Sequence, residues 1–269
     1  MKHGGYGLNI IFIGDIVGGA ARRLLKEKLP GLKKQYDTTV CIANVENAAA
    51  GLGLTPTLAR EFRHIGVDVM TLGNHTWSKR ELLQTIDDIP NLIRPANVPA
   101  AWPGKGHILL NLPEGPFLLI NLLGRIFMDP VDDPFACADR IIGQVRQNSD
   151  VRMVMVDFHA EATSEKTAMA HHLNGRVSLV VGTHTHVQTA DERILDRGTG
   201  YLTDVGMTGP VEGIIGMDAE SSLRRMVDRL PAAYHVAHGP SAIAALVADI
   251  DPLTGQTRRI ERLQIHETT

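Results

Sequence analysis

The chain has 269 residues, of which 43% are hydrophobic and 21% charged, as in a globular protein with a substantial buried core. Its formal net charge of -3 and its lack of a basic run argue against a surface for duplex nucleic acid, and an aromatic content of 4% argues against a stacking platform. The two cysteines, Cys41 and Cys137, stand far apart, so no disulfide framework is expected.

The first residues resemble a secretory signal only in part. Lys2 precedes an apolar run at residues 8–13, but Asp15 interrupts this run and two arginines follow it. The apolar run at residues 117–123 is far too short to span a bilayer. We therefore expect a cytoplasmic protein without a membrane partner.

Apolar strand-like runs alternate with helical segments over the first two-thirds of the chain, which predicts an α/β layered core. The strands predicted there are residues 9–13, 39–45, 67–72, 108–112, 117–123, 151–158 and 177–181. Helices are predicted after the first strand, at residues 58–65, from residue 132, and from residues 163–166, where a hydroxyl group would cap the helix.

The tail differs from this alternating pattern. It contains shorter strand-like runs, at residues 193–195, 200–203, 234–236, 242–250 and 258–265. They predict an antiparallel sheet beside the core. We expect a single domain, residues 1–269, built as a sandwich of mixed β-sheets flanked by helices.

Five loops, each after a predicted strand, carry nearly all the unusual polar residues. These loops read Gly14-Asp15-Ile16-Val17-Gly18, Asn44-Val45-Glu46-Asn47, Gly73-Asn74-His75-Thr76, Asp157-Phe158-His159-Ala160-Glu161 and Gly182-Thr183-His184-Thr185-His186. Any one loop is weak evidence, since an aspartate after a strand commonly caps a helix and Gly-Asn is a common turn. Ligands bind where the carboxyl ends of strands meet, so the five loops together predict one site.

The residue types in these loops favour a transition-metal site. His184 and His186 are separated by one residue, so a single loop can aim both imidazoles at one cluster. Carboxylate and imidazole ligands suit Mn, Fe or Zn better than Mg or Ca, and the lack of a thiolate argues against structural zinc. A carboxylate between two cations offsets their mutual repulsion, and Glu46 is the candidate for this position.

The five loops resemble the block pattern of the calcineurin-like metallophosphoesterases. Val17 stands where that superfamily usually has a ligating histidine, and Glu46 where it usually has a bridging aspartate. The chain more closely resembles the YmdB-type family of bacterial cyclic-nucleotide phosphodiesterases, which shares both changes, from about residue 8 to residue 265. The segments that carry this resemblance are IFIGDIVG, NVENAAAGLGLT, TLGNHTW, NLIRPAN, DFHAEATSEK, VVGTHTHVQTAD and DVGMTGP.

The resemblance implies a calcineurin-like sandwich and two divalent transition metal ions, Fe or Mn. It implies four ligands for the first metal, namely Asp15, Glu46, Asn47 and His186. It implies four for the second, namely Glu46, Asn74, His159 and His184. Asn47 could instead contact the ligands without contacting the metal itself. His75 would remain unligated at the mouth of the cleft and act as the proton donor.

The reaction implied by the resemblance is hydrolysis of 2′,3′-cyclic AMP, with 3′,5′-cyclic AMP as a further candidate substrate. A hydroxide held between the metals would attack phosphorus in line while His75 protonates the leaving oxygen. Two alternatives remain open: a phosphomonoesterase or nucleotidase with the same metal centre, and a nucleotide-binding regulatory protein with little turnover. The family tends to form homo-oligomers, although no decisive interface is evident in this sequence.

Several residues around the loops have two interpretations. Asp157 and Glu161 flank His159 and could orient its ring, or could be a strand-end and a surface carboxylate. Arg125 could reach a substrate phosphate or form a structural salt bridge. Trp77 could pack on a nucleobase or belong to the core.

Overall fold

The computed structural model describes residues 7–267. Lys2 and both ends of the predicted domain lie outside the described residues. The helices are α1 (Gly18–Gln35), α2 (Pro56–Ile65), α3 (Arg80–Thr85), α4 (Pro134–Asn148), α5 (Thr163–Leu173) and α6 (Ala219–Met226), with a 3-10 turn at Ile86–Asp88. The strands are β1 (Leu8–Ile13), β2 (Asp15–Ile16), β3 (Val40–Asn44), β4 (Val69–Thr71), β5 (Leu92–Ile93), β6 (His107–Leu112), β7 (Gly115–Leu123), β8 (Met153–His159), β9 (Leu179–Thr183), β10 (Arg193–Ile194), β11 (Gly200–Leu202), β12 (Met207–Pro210), β13 (Ser241–Ile250) and β14 (Thr257–His266).

The strands form two sheets. The first has the order β2-β12-β13-β1-β3-β4-β5, with β14 added to β13. Strands β1, β3, β4 and β5 run parallel, and β13 is antiparallel to β1 with Ile10 opposite Ala248. The second sheet has the order β10-β11-β9-β8-β7-β6, in which β11, β9, β8 and β7 are parallel.

Alternating side chains along the strands divide the core into three layers. In β1, Ile10 and Phe12 pack between the two sheets, whereas Ile11 and Ile13 pack against α1 and α2. Strand β8 behaves in the same way: its alternate residues pack between the sheets or against α4 and α5. The predicted α/β sandwich of mixed sheets with flanking helices is therefore confirmed.

The carboxyl ends of the parallel strands of both sheets meet at one edge of the sandwich. Asp157 of β8 joins them there, because its carboxylate accepts hydrogen bonds from Thr71 Oγ1 of β4 at 2.5 Å and Thr183 Oγ1 of β9 at 2.8 Å. Asn44 Nδ2 of β3 adds a longer contact of 3.4 Å. This junction fixes the positions of the loops that follow these strands.

The predicted arrangement of the tail is wrong. Strands β13 and β14 extend the first sheet, and β10 and β11 extend the second, so the tail as far as residue 267 forms no separate sheet. Strand β13 is buried along almost its whole length because it lies beside β1. The predicted strand at 234–236 makes only an isolated bridge from Val236 to Met217, and α6 was not predicted.

Two smaller expectations concern the cysteines and the membrane. Cys41 and Cys137 are both buried and unpaired, as the expectation of no disulfide framework requires. Among residues 7–267, no helix combines the length and the apolar character needed to cross a bilayer.

Candidate metal centre

The last residue of β8 and the loops after β3, β4 and β9 bring four predicted ligands into contact. His159 Nε2 lies 2.9 Å from Asn74 Oδ1, 3.0 Å from His184 Nδ1 and 3.2 Å from Glu46 Oε1. These are the side chains that the resemblance assigns to the second metal. Glu46, His159 and His184 offer ligand atoms that all lie within 4.8 Å of one another, so they could hold a metal ion.

The residues assigned to the first metal adjoin this group and share Glu46 with it. Asn47 Nδ2 lies 3.3 Å from Glu46 Oε1 and 3.2 Å from His186 Nε2. Asp15 is fully buried, and its Oδ2 accepts a hydrogen bond from the backbone N–H of His184 at 3.1 Å. Its other oxygen, Oδ1, has no hydrogen-bond partner among the described residues. A buried carboxylate oxygen without a donor is costly, and a cation would satisfy it.

Two of the histidines contact a hydrogen-bond acceptor through the ring nitrogen that points away from the cluster, that is, from the two groups of proposed ligands that share Glu46. His184 Nε2 lies 3.2 Å from Glu161 Oε2, and His186 Nδ1 lies 3.0 Å from the backbone oxygen of Ile215. Because both partners can only accept, these nitrogens carry the protons. The inner nitrogens, His184 Nδ1 and His186 Nε2, therefore present lone pairs, as metal-binding histidines do.

His159 is held in the same way through a hydroxyl relay. Thr183 Oγ1 donates its only proton to Asp157 Oδ1 at 2.8 Å, so it accepts from His159 Nδ1 at 2.9 Å. This relay fixes the orientation of the ring and directs His159 Nε2 toward Asn74, His184 and Glu46. Burial raises the pKa of Asp157 to about 7, against the hydrogen bonds from Thr71 and Thr183 that favour its charged form.

The electrostatics of the cluster favour a positive charge. Burial would raise the pKa of Glu46, but attraction and hydrogen bonds from His159 and His75 outweigh it and hold this pKa well below its ordinary value. Burial would likewise lower the pKa of His159, yet Glu46 and Asp15 raise it to about 9. The pKa of His184 falls to about 3 through burial and repulsion by His159. The donor set and its charge thus fit divalent cations.

His75 contacts Glu46 but is not one of the three residues, Glu46, His159 and His184, whose ligand atoms lie close together. Its Nδ1 lies 2.7 Å from Asn47 Oδ1 and 3.2 Å from Glu46 Oε1, so Nδ1 is a donor. No hydrogen bond reaches His75 Nε2 from residues 7–267, and the residue lines a cavity of about 770 Å³. The Asn47 amide oxygen faces His75, so Asn47 supports the ring of His75 in this arrangement.

Sequence reasoning missed a buried ion pair that holds the loop of His184 and His186. Lys166 Nζ donates to Asp204 Oδ2 at 2.6 Å, and the same oxygen accepts from Thr185 Oγ1 at 2.7 Å. Both charged side chains are at most 1% exposed. The run DFHAEATSEK contained this lysine, but nothing in the sequence indicated a partner 38 residues away.

The start of α5 also differs from its prediction. The residue before the helix is Ala162, which provides no side-chain cap. Glu165 points inward instead, and its carboxylate accepts the backbone N–H groups of Arg125 at 3.0 Å and Ile126 at 3.2 Å. The first turn of α5 therefore holds neighbouring loops, because its acidic and basic side chains are buried against them.

The structure places the residues that had two interpretations. Glu161 does not orient His159; it contacts His184. Arg125 forms an exposed salt bridge with Asp133 at 3.4 Å, and it is not among the side chains that line the cavity. Trp77 packs edge-on against Trp102, with ring centroids 5.6 Å apart, and contacts the core.

Comparison with known proteins places these features in a family context. The family described as "YmdB-like protein" matches residues 11–263. The chain is 48% identical over 260 residues to the 2′,3′-cyclic-nucleotide 2′-phosphodiesterase of Bacillus subtilis (strain 168), covering 97% of this chain and 98% of that protein.

Two solved structures have the same fold over nearly the whole chain. A hypothetical protein from Thermus thermophilus superposes with a TM-score of 0.90 at 39% identity, covering 97% of this chain and 100% of that one. A structure described as a novel phosphatase from Mycoplasma pneumoniae has a TM-score of 0.91 at 32% identity, with 97% and 94% covered.

Replacement of Thr183 tests the relay to His159. Thr183→Val keeps the shape of the side chain but removes the hydroxyl, so we expect metal affinity to fall by about 10–100-fold. Thr183→Ser, which keeps the hydroxyl, is the matched control. Competition with a chromogenic chelator measures both. Equal affinities in the two variants would show that the hydroxyl does not orient the ring.

Replacement of Lys166 tests the buried ion pair. Lys166→Met leaves the charge of Asp204 buried without its partner, and we expect the free energy of unfolding to fall by about 3–5 kcal/mol. The control is Arg125→Met, which breaks an exposed pair and should cost less than about 1 kcal/mol. Urea unfolding monitored by circular dichroism measures both. Similar losses in the two variants would contradict a supporting role for Lys166.

Proposed function

The chain belongs to the YmdB-like family, and from this premise we propose that it is a metal-dependent phosphodiesterase that hydrolyses 2′,3′-cyclic nucleotides. The observation that carries the proposal is the group formed by Glu46, His159 and His184, whose ligand atoms all lie within 4.8 Å of one another, beside a cavity of about 770 Å³. The similarity to the Bacillus subtilis enzyme supports this choice of substrate.

Two divalent transition metal ions, Fe or Mn, would be held by the two groups of side chains that share Glu46. Asp15, Glu46 and His186 would hold one, and Glu46, Asn74, His159 and His184 the other. When bound, such ions supply Lewis acidity toward the phosphate and lower the pKa of water. Asn47 would steady His75 through its amide oxygen, 2.7 Å from Nδ1.

His75 is the residue that we assign to proton transfer. Asn47 and Glu46 hold the proton on its Nδ1, so a proton can leave only from Nε2. In the proposed reaction water adds to phosphorus and releases a proton to solvent, the bond from phosphorus to the 2′-oxygen breaks, and His75 protonates that oxygen and regains a proton from solvent. The product is a nucleoside 3′-phosphate. General acid catalysis of this kind contributes about 10²–10⁴-fold.

Chromatographic detection of adenosine 3′-phosphate from 2′,3′-cyclic AMP tests the activity. The manganese-loaded wild type should turn over, and Glu46→Gln should lose most of that activity because a neutral amide cannot offset two cations. The same assay is run on a panel of substrates that includes 3′,5′-cyclic AMP, which we propose as a further substrate. No turnover of either cyclic nucleotide by the metal-loaded wild type would contradict the proposal.

A phosphomonoesterase is the second candidate function, because the Mycoplasma pneumoniae structure is described as a phosphatase. The same panel separates the two functions when adenosine 3′-phosphate is included as a substrate. Release of inorganic phosphate from it, without opening of the cyclic nucleotide, would favour the monoesterase. Accumulation of adenosine 3′-phosphate would favour the diesterase.

Replacement of His75 separates proton transfer from metal binding. We expect His75→Ala to lower kcat by about 10²–10⁴-fold while its metal content stays close to that of the wild type. His184→Ala is the matched comparison, because it removes an atom from the cluster and should lose metal. Inductively coupled plasma mass spectrometry measures the content. If His75→Ala loses as much metal as His184→Ala, the proton-donor role is wrong.

A further inference from the structure

We propose that the apolar part of the cavity beside the metal centre binds the nucleobase of the substrate, with Tyr234 as its stacking surface and Ser222 as its hydrogen-bonding group. This inference rests on the proposed function and adds a base subsite to it. Neither residue belongs to the five polar loops that follow the strands. Both lie in the segment between β12 and β13.

The cavity is larger than a phosphate group requires. Its volume of about 770 Å³ falls within the range of about 300–1,000 Å³ typical of sites for small organic ligands. Part of its lining consists of polar residues of the candidate metal centre, including Glu46, His75 and His184. The rest is lined mainly by apolar side chains: Leu52, Ile214, Ile215, Met217, Met226 and Tyr234. A ligand that fills it would have an anionic end and an apolar body.

Several of these apolar side chains are exposed. Met226 is 60% exposed, Ile215 51%, Tyr234 48% and Leu52 44%. Single exposed apolar residues are ordinary on a protein surface. Here they surround one cavity that also contains the metal centre, and such grouping marks a surface that a ligand covers.

Tyr234 is held in position by Arg225 of α6. The guanidinium carbon of Arg225 lies 4.4 Å from the centre of the Tyr234 ring, and its Nη1 donates to the backbone oxygen of Ala232 at 2.8 Å. A ring covered on one face by a guanidinium keeps the opposite face for a second flat group. Nucleobases stack on aromatic rings with little dependence on their identity.

Ser222 provides independent evidence for a polar ligand atom in this cavity. It lines the cavity and is 1% exposed, and its Oγ has no hydrogen-bond partner among the described residues. A buried hydroxyl without a partner costs free energy that a bound ligand could recover. A hydroxyl both donates and accepts, so it can pair with an amino or a carbonyl group of a base. The subsite would therefore tolerate different bases.

Ile215 connects the base subsite to the metal centre. Its φ of +45° is unusual for a β-branched residue, and this conformation is accompanied by the contact of its backbone oxygen with His186 Nδ1 at 3.0 Å. Its side chain lines the apolar part of the cavity. Ile215 thus connects the apolar part of the cavity to the metal centre. A base bound there would lie next to the phosphate.

The test compares 2′,3′-cyclic AMP with ribose 2′,3′-cyclic phosphate, which has the same reacting group but no base. In the manganese-loaded wild type we expect kcat/KM to be at least about 10-fold higher for the nucleotide, mainly through KM. Tyr234→Ala should reduce this ratio by about 10-fold, and Tyr234→Phe should retain it. The matched control is Leu253→Ala, because Leu253 is 75% exposed and lies in the turn after β13, outside the cavity lining.

Ser222→Ala gives a second, independent readout. We expect KM for 2′,3′-cyclic AMP to rise by about 2–10-fold, the effect of one lost hydrogen bond. The midpoint of thermal unfolding without substrate should not fall, because the hydroxyl has no partner to lose among the described residues. A lower midpoint together with an unchanged KM would assign Ser222 a structural role and overturn its place in the subsite.

The outcomes separate this inference from the proposed function. If the wild type hydrolyses both substrates with equal kcat/KM, or if Tyr234→Ala leaves their ratio unchanged, the base subsite is wrong and the phosphodiesterase stands. If the metal-loaded wild type hydrolyses neither substrate, the proposed function is wrong and the base subsite falls with it.

Discussion

The carboxylate of Glu46 is the contact on which the candidate site depends. It is buried where the carboxyl ends of both sheets meet, with Oε1 3.2 Å from both His159 Nε2 and His75 Nδ1 and 3.3 Å from Asn47 Nδ2. Its Oε2 accepts the backbone N–H of His75 at 2.9 Å. A charged group in such a place requires positive partners, and this requirement explains why histidines and cations would gather around it.

The rest of the sandwich holds the three histidines of the candidate metal centre in position. Asp157 joins the two sheets and orients His159 through Thr183, while Glu161 and a backbone oxygen hold the outer nitrogens of the other two rings. The Lys166–Asp204 pair fixes the loop between those two rings. The polar groups that hold the proposed ligands are therefore needed as much as the ligands themselves. Their replacement should weaken metal binding rather than change the catalytic step directly.

Much of the candidate site could be predicted from the sequence, because its residues lie at or directly after the ends of strands and the order of these segments resembles a known family. Asp15, Glu46 and His184 could be chosen as candidates without knowing which strands pair with one another. Other contributions could not be predicted. Asp204 meets Lys166 from a distant part of the chain, and Ile215 contributes a backbone oxygen that every residue type has. The prediction of a separate sheet in the tail was wrong for the same reason. The pattern of β13 indicates a buried strand, but it does not indicate that the neighbouring strand is β1.

Anomalous diffraction from crystals grown with manganese tests most directly whether Glu46 joins two metals. We predict two peaks, one beside His159 Nε2 and His184 Nδ1 and one beside Asp15 and His186 Nε2, with the Glu46 carboxylate in contact with both. The outer nitrogens of the three histidines should keep their present partners. A single peak, or two peaks that Glu46 does not join, would contradict the account.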